Sequence, residues 1–178
     1  ALMTGMTTDT NNFANSTFPS TLRMAADLIE AGVDRDAIVS NIYQQHRETR
    51  MRLMGHILKD LMTITPDGVA YIVLDKKTLK EYYIEEGDTE GFVNLPLSMA
   101  KVKMSLLLKE DGDIVRVSIR SKKGISANRC SKLHFHGGGH ENAAGGRLYI
   151  PEDIAGIREA AAYIEKHTHT FMTSENEE

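Results

Sequence analysis

The sequence is poor in several residue types, and each scarcity excludes a class of structure. Its 178 residues include one cysteine, Cys130, and no tryptophan. A single cysteine excludes an internal disulfide and a cysteine-based zinc site, and it favours a reducing compartment. There is no apolar run of about 18 residues and no basic start followed by an apolar stretch, so membrane insertion is not supported. We therefore expect a cytoplasmic protein without a membrane partner.

Charge is nearly balanced over the whole chain but not along it. The formal net charge is −4, from 21 basic and 25 acidic residues, which argues against a protein that coats long duplex DNA. Residues 101–132 nevertheless carry nine Lys and Arg against three acids. Lys101, Lys103 and Lys109 are interpreted as the solvated face of a strand. Nearer to a glycine-rich segment lie Arg120, Lys122 and Arg129.

The chain starts with an apolar run, residues 1–6, followed by the polar residues 7–12. A short apolar run is typical of a buried parallel strand, and polar residues at its end are typical of ligand sites in open α/β sheets. We expect a strand here and an earlier part of the same domain that this sequence does not show.

Periodicity and turn residues divide the rest of the chain into helices and strands. Three helices are predicted between residues 17 and 61. The first is capped by Thr17 or Ser20, the second by Asp34, and the third begins at Glu48 with an apolar stripe of Met51, Met54, Leu58 and Leu61. The later elements are predicted to be a strand at 69–74, a hairpin of 101–109 and 113–120, a helix at 125–133, a strand at 147–150 and a helix at 152–166.

The most informative segment is Phe135-His136-Gly137-Gly138-Gly139-His140-Glu141-Asn142-Ala143-Ala144-Gly145-Gly146. Consecutive glycines allow neighbouring backbone N–H groups to converge on one anion. A helix beginning near His140 would add free N–H groups and a positive dipole end. His140 could then donate to a phosphate oxygen or a leaving group. The ordinary alternative is a glycine-rich turn.

Two neighbouring features bear on that segment. The strand ending Ile119-Arg120-Ser121 directs a guanidinium and a hydroxyl, both good phosphate ligands, toward one sheet edge; the alternative is an exposed strand end. The histidines at 134, 136 and 140 allow a zinc site with Glu141, although the more ordinary interpretation leaves only His140 functional.

In combination these residues resemble a known family. Ile119-Arg120-Ser121, a short helix, then Gly137-Gly138-Gly139-His140 and Asn142-Ala143-Ala144-Gly145 are similar to the DHH-associated C-terminal domain of DHH-family phosphoesterases. The nanoRNase and RecJ-like branch, also labelled exopolyphosphatase-related, is the most similar. The segment Glu90–Ser98 also resembles the segment that these proteins carry between the strands of their domains. Gly5-Met6-Thr7-Thr8-Asp9-Thr10 resembles the last metal-binding motif of the DHH domain, although Asn11 and Ala14 depart from the family pattern.

The resemblance implies a fold and a division into domains. The fold class is α/β, a mixed β-sheet flanked by helices, preceded by a strand and helices from the end of a parallel-sheet DHH domain. Residues 1–46 would be the end of the catalytic domain and 47–62 a connecting helix. Residues 63–170 would be the DHH-associated substrate-binding domain, and 171–178 a disordered acidic tail.

It also implies an activity and its residues. The whole protein would be a manganese-dependent hydrolase of short RNA or of 3′-phosphoadenosine 5′-phosphate, with Asp9 as a metal ligand and His140 as the catalytic residue near two manganese ions. The residues expected to bind substrate phosphate are Arg120, Ser121, Gly137, Gly138, Gly139, His140 and Asn142. The family's other metal motifs have no counterpart here, so the isolated chain is expected to be inactive, and a homodimer is plausible.

A second hypothesis is that this chain is a non-catalytic module that binds single-stranded nucleic acid or phosphate. Its basic strand and glycine segment would supply the binding groups without any chemistry.

Overall fold

A computed structural model describes residues 1–175. The chain divides into two compact units, residues 1–47 and the residues from Glu48 onward. No helix in the described range is long and apolar enough to cross a membrane.

Residues 1–47 fold into three helices: α1 (Leu2–Asp9), α2 (Pro19–Glu30) and α3 (Arg35–Tyr43). The predicted N-terminal strand is therefore wrong. A short apolar run fits a helix as well as a strand when periodicity is the only guide. Here Met3 and Thr7, one turn apart, are the buried pair, and the Thr7 hydroxyl donates to the Met3 carbonyl at 2.8 Å.

The caps of α2 and α3 differ in how well they agree with the sequence prediction. Asp34 caps α3 as expected, since its carboxylate accepts the Ala37 N–H at 2.9 Å. The predicted caps Thr17 and Ser20 of α2 are wrong, because Phe18 occupies the N-cap position. Its backbone N–H instead donates to the hydroxyl of Thr21, at 3.3 Å.

The second unit begins with α4 (Glu48–His56), which continues into a π-helical turn, Ile57–Leu61. The predicted apolar stripe is confirmed for Met54 and Leu61, which pack against the core. It is wrong for Met51 and Leu58, which are 48% and 41% exposed, while Leu53 and Ile57 are fully buried instead. A π-helical turn shifts the buried face of a helix by about one residue, so one 3.6-residue period does not describe the whole segment.

A six-stranded mixed sheet dominates this unit, in the order β1-β2-β3-β4-β6-β5. Only β2 and β3 pair in parallel, and the other neighbours are antiparallel. The predicted mixed sheet, strand and hairpin are thus confirmed, and the strand predicted at 147–150 starts earlier. The strands are β1 (Met62–Ile64), β2 (Val69–Leu74), β3 (Met104–Asp111), β4 (Ile114–Ser121), β5 (Gly138–His140) and β6 (Ala143–Tyr149).

Helices cover one face of this sheet. Behind it lie α6 (Ala127–His134), which confirms the predicted short helix, and α7 (Ala160–Glu175). Alternate residues of β3, β4 and β6 pack with Phe135, Ile164 and Phe171 into the larger apolar cluster. We call this the helix face.

The opposite face is covered over β2 and β3. There Ile72, Leu74 and Leu107 pack with Leu53 and Ile57 and with a 3₁₀ helix, Phe92–Ser98, into a second apolar cluster. A short helix, α5 (Lys76–Glu81), follows β2 and is capped by Asp75, which accepts the Thr78 N–H at 2.7 Å.

Two predictions for the C-terminal region differ from the structure. The helix predicted at 152–166 begins later, because a 3₁₀ turn at Ile157–Glu159 precedes α7, and it continues to Glu175. The tail predicted as disordered from 171 is wrong for 171–175, because Phe171 and Met172 are buried and extend the apolar side of the helix. Residues 176–178 of that prediction lie outside the described residues.

Candidate functional site

The part of the second face that lies over β4, β6 and β5 carries polar and small side chains. Successive residues of a strand point to opposite faces, so Arg116, Ser118 and Arg120 share the face opposite Val115, Val117 and Ile119. Their side chains are half-buried or exposed, in contrast to the fully buried valines and isoleucine. We call this surface the open face: it consists of Lys109, Arg116, Ser118, Arg120, Gly138, His140, Ala143, Gly145 and Arg147.

The strand register arranges these residues in three rows across the sheet. Arg120 pairs with Ala143, which pairs with His140, and this is the first row. The second row joins Ser118, Gly145 and Gly138 in the same way.

The third row is entirely cationic. Arg116 lies opposite Arg147 on one side and opposite Lys109 on the other. A row of small residues thus separates this cationic row from the first row, which contains Arg120 and His140.

A cleft of about 470 Å³ runs along β3 and β4 through these rows. Its floor includes Leu107, Lys109, Arg116, Ser118 and Arg120, and its wall is Thr89-Glu90-Gly91 with Val93.

Arg50 holds this wall in place. Its guanidinium donates to the carbonyl of Asp88 and, at 2.8 Å, to that of Glu90, and it lies 4.4 Å from the centre of the Phe92 ring. Contacts of Arg50 therefore hold the cleft wall, and the sequence alone did not reveal them.

Arg120 is the cation at the inner end of the cleft. It is half-buried, and its Nη1 donates to the Ile119 carbonyl at 2.9 Å and, more weakly, to that of Ala144 at 3.4 Å. Burial lowers the pKa of Arg120, yet a guanidinium stays charged at neutral pH. No carboxylate forms an ion pair with Arg120 among residues 1–175. A partly desolvated cation of this kind binds an anion more strongly than an exposed one does.

His140 lies in the same row, on the edge strand β5, and is exposed. Within the described part of the chain its imidazole makes no hydrogen bond. The helix predicted to begin there is wrong, because residues 138–140 and 143–149 are strands that pair with each other and with β4. Sheet pairing uses the backbone groups that a helix would have left free.

The glycines also differ from the prediction. The N–H of Gly137 donates to the Ser131 carbonyl at 3.3 Å, and that of Gly139 donates to Oδ1 of Asn128 at 3.0 Å. These two donors therefore do not converge on an anion. A Cβ at Gly137 would lie 2.5 Å from the Cα of Gly146, so glycine permits the close approach of two chain segments. Gly138 lies on the open face beside Gly145.

Ser121 and Asn142 hold a turn within the protein. The Ser121 side chain is on the helix face, opposite to Arg120, and its hydroxyl donates to the Ile125 carbonyl at 2.6 Å. The amide of Asn142 donates to Ser121 Oγ and to the Lys122 carbonyl, both at 3.1 Å. These bonds support the turn that leads into α6, and direct phosphate contacts by the two side chains stay a prediction.

Asp9 is exposed at the end of α1, in the first unit. Residues 1–175 contain no group of three or more His, Cys, Asp or Glu arranged to hold a metal ion. A two-metal site needs several such ligands around a bridging water. The residues present therefore do not fit two manganese ions by themselves.

The three histidines considered for zinc have different surroundings. His134 is at the end of α6, not on a strand, and its Nδ1 lies 3.2 Å from Nδ1 of His167. His136 pairs with Asp153 at 3.0 Å. Of the three, His140 is the one that lies in the rows of the open face.

Sequence analysis missed part of the open face. Lys109, interpreted there as part of a solvated strand face, lines the cleft. Arg116 could have been found from its spacing of four residues from Arg120 on one strand, whereas Arg147 is placed only by the pairing of β4 with β6. Conversely, Lys122 donates to the Met99 carbonyl at 2.7 Å, and Arg129 pairs with Glu175 at 2.9 Å.

Comparison with known proteins agrees with this architecture. The family model described as the DHHA1 domain matches residues 67–166, which include β2 to β6 and the open face. The class is therefore an α/β domain of the kind associated with DHH phosphoesterases. The chain belongs to the DHHA1 family, and the resemblance drawn from its sequence is confirmed.

Two curated relatives have the same name, "bifunctional oligoribonuclease and PAP phosphatase NrnA". The chain is 36% identical to the Thermus thermophilus protein over 149 residues, which cover 83% of this chain and 44% of the relative. It is 24% identical to the Bacillus subtilis protein over 146 residues, 82% of this chain and 45% of the relative. The chain thus spans somewhat less than half the length of these relatives.

A solved structure is similar throughout. It is an exopolyphosphatase-related protein from Bacteroides fragilis, with a TM-score of 0.86 and 34% identity over 96% of this chain and 49% of that protein. The mixed sheet with flanking helices is therefore shared with a solved relative.

Proposed function

We propose that this chain is the substrate-binding part of a phosphoester hydrolase that acts on short oligoribonucleotides and on 3′-phosphoadenosine 5′-phosphate. The observation that carries the proposal is the first row of the open face, where half-buried Arg120, which lines the cleft, shares one face with exposed His140. The names of the curated relatives support the same substrates.

In this proposal the chain binds and orients the substrate. Arg120 donates two N–H groups to a phosphate, and its bonds to backbone carbonyls limit the conformations of the guanidinium. His140 donates an imidazole N–H to the same phosphate or to the neighbouring one. Ala143 lies between Arg120 and His140 in this row, and its small side chain allows the phosphate to approach the sheet.

The metal belongs to the same proposal. Asp9 would contribute one ligand to a manganese centre whose other ligands are residues that this chain does not contain. The bound ions would activate a water molecule. A cytoplasmic location and a homodimer also stay predictions.

Arg120→Gln and His140→Ala test the binding role directly. Binding of an RNA dinucleotide to the chain, measured by titration calorimetry, is expected to weaken by about 5- to 150-fold in each variant, since a lost charge-assisted hydrogen bond costs about 1–3 kcal/mol. Arg158→Gln is the matched control, because Arg158 is an exposed arginine in the 3₁₀ turn before α7. Unchanged affinity in both test variants would contradict the proposal.

The second candidate is a non-catalytic binding module, which the lack of a metal-ligand cluster in residues 1–175 favours for the chain by itself. Incubation with manganese and a 5′-labelled RNA dinucleotide separates the two candidates, with a longer protein that carries the upstream DHH motifs as reference. Turnover by this chain at a rate comparable to the reference would rule out the module.

A further inference from the structure

We propose that the third row, Lys109, Arg116 and Arg147, binds a phosphate further along an oligonucleotide than the one held by Arg120. The open face would then favour RNA of several residues over a dinucleotide or a nucleotide bisphosphate. This inference rests on the proposed function and adds a chain-length preference to it.

The third row consists of three cations on neighbouring strands. Arg116 faces Arg147 and Lys109 directly across the sheet, and like charges in such cross-strand pairs are destabilising. Asp111 accepts from Arg116 Nε at 2.5 Å, and both side chains are exposed, so this ion pair is weak. Lys109 and Arg116 also line a neighbouring hollow with Glu85, Glu86 and Glu110, so the surplus of positive charge lies toward Arg147, which makes no ion pair within residues 1–175. A bound anion would offset that surplus.

The distance between the first and third rows suits a ligand with several phosphates. Arg116 and Arg120 are four residues apart on β4, which corresponds to about 13 Å at a rise of about 3.3 Å per residue. Adjacent phosphates of a stacked strand are separated by only about 3.4 Å along its axis. Side chains that stand roughly perpendicular to a sheet keep this separation at their tips, so one phosphate would contact both rows only if the two guanidinium groups bent toward each other. Successive phosphates of a chain of several nucleotides match the separation directly.

The surface between the first and third rows carries only small side chains. Gly138, Gly145 and Ser118 make up the second row, and a Cβ at Gly145 would meet only the Val117 carbonyl oxygen, at 3.5 Å. Low side chains here leave room for a sugar or a base between two bound phosphates. The cleft itself continues past Ser118 from Arg120 to Arg116 and Lys109.

An aromatic side chain lies just beyond the third row. Tyr149 follows Arg147 by two residues on β6, so it is on the same face, and it is 38% exposed. Its ring makes an edge contact with His136, with 5.4 Å between the ring centres. Aromatic rings beside a cationic groove are the usual stacking platforms for bases of single strands. Along β4 and β6 the open face therefore presents Arg120, then the small second row, then the cations of the third row, and finally Tyr149.

The test compares two RNA lengths on the same chain. Titration calorimetry with a dinucleotide and with a pentanucleotide is performed on the wild type and on the Arg116→Gln/Arg147→Gln variant. We expect the pentanucleotide affinity to fall at least 10-fold and the dinucleotide affinity to change less than twofold. The slope of log affinity against log salt for the pentanucleotide should become shallower by about 0.7 for each phosphate that the variant no longer neutralises.

Arg158→Gln serves again as the control, and thermal unfolding verifies that the variants fold. If the double variant fails to fold, Arg147→Gln alone is used, with the same contrast between lengths. Equal losses for both RNAs, or no loss for the pentanucleotide, would overturn the inference. Failure of the proposed function would instead appear as an unchanged dinucleotide affinity in both Arg120→Gln and His140→Ala.

Discussion

The two faces of the central sheet are made by the same strands but have opposite characters. On β4, Val115, Val117 and Ile119 are at most 2% exposed and pack beneath the helices, while Arg116 and Arg120 alternate with them toward the cleft. Because side chains alternate with a period of two, one strand supports the core and the binding surface without compromise between them. Substitutions on the helix face should therefore affect stability, and those on the open face should affect binding.

Phe135→Ala should have the largest effect, because Phe135 is fully buried in the helix-face cluster. Loss of a buried phenylalanine typically costs about 3–5 kcal/mol, from lost apolar burial and the cavity that remains. Urea unfolding measures this change. Leu133→Ala is the matched control: Leu133 is 60% exposed, and its change should remain within about 0.5 kcal/mol. Equal losses for the two would contradict the assignment of the core.

Gly146→Ala and Gly145→Ala compare the two faces at adjacent positions. A Cβ at Gly146 would overlap the Phe135 carbonyl oxygen and lie 2.9 Å from the Phe135 Cβ, whereas Gly145 has an ordinary contact only. Overpacking of this kind costs about 1–3 kcal/mol, so Gly146→Ala should lower the free energy of unfolding by that amount. Gly145→Ala should stay close to the wild type in the same measurement. A larger loss for Gly145→Ala would show that the two faces have been assigned the wrong way round.

The smallest effect concerns two histidines on the helix side. Burial lowers the pKa of both His134 and His167; the nearby His167 lowers that of His134 further, while Lys166 lowers and Asp153 raises that of His167. A pKa below the unfolded value of 6.5 means that the unfolded chain binds protons first, so stability is lost as the pH falls below about 6.5. Tyr163 contacts the His167 ring at a tilt of 34° and Phe171 contacts His134 edge-on, so other groups partly cover both rings.

We expect His167→Gln to lose less stability than the wild type between pH 7.5 and pH 5.5, as measured by urea unfolding. The values at pH 7.5 separate the cost of the substitution itself from its pH dependence. Equal losses of stability in the two proteins would mean that the pKa of His167 does not differ between the folded and the unfolded chain.

Local patterns predicted the elements that depend on local interactions. The hairpin of β3 and β4, the strand at 69–74, the Asp34 cap and the short helix before Phe135 followed from alternation and capping residues. The errors occurred where tertiary contacts decide. The N-terminal run is a helix, the π-helical turn moves the buried stripe of α4, and α7 extends through Phe171 and Met172 because their burial in the core stabilises it.

The candidate site shows the same division. From the sequence, Arg120 and His140 were predicted as site residues, and the strand register places them in one row, although their role stays a prediction. The family that their motifs resemble is confirmed. It assigned the glycines to an anion loop, although the N–H groups of Gly137 and Gly139 are used within the protein. Ser121 was grouped with its neighbour Arg120, but adjacent residues of a strand point to opposite faces.

By itself, then, the sequence determined the family, the hairpin and the basic strand, and it singled out Arg120 and His140 as candidates, because these depend on residue types and short spacings. Only the tertiary structure decided that Lys109, Arg116 and Arg147 form a cationic row, and that Arg50 holds the cleft wall. Residues as far apart as Arg50 and Glu90, 40 positions along the chain, meet there through strand register and long-range hydrogen bonds, which no local pattern encodes.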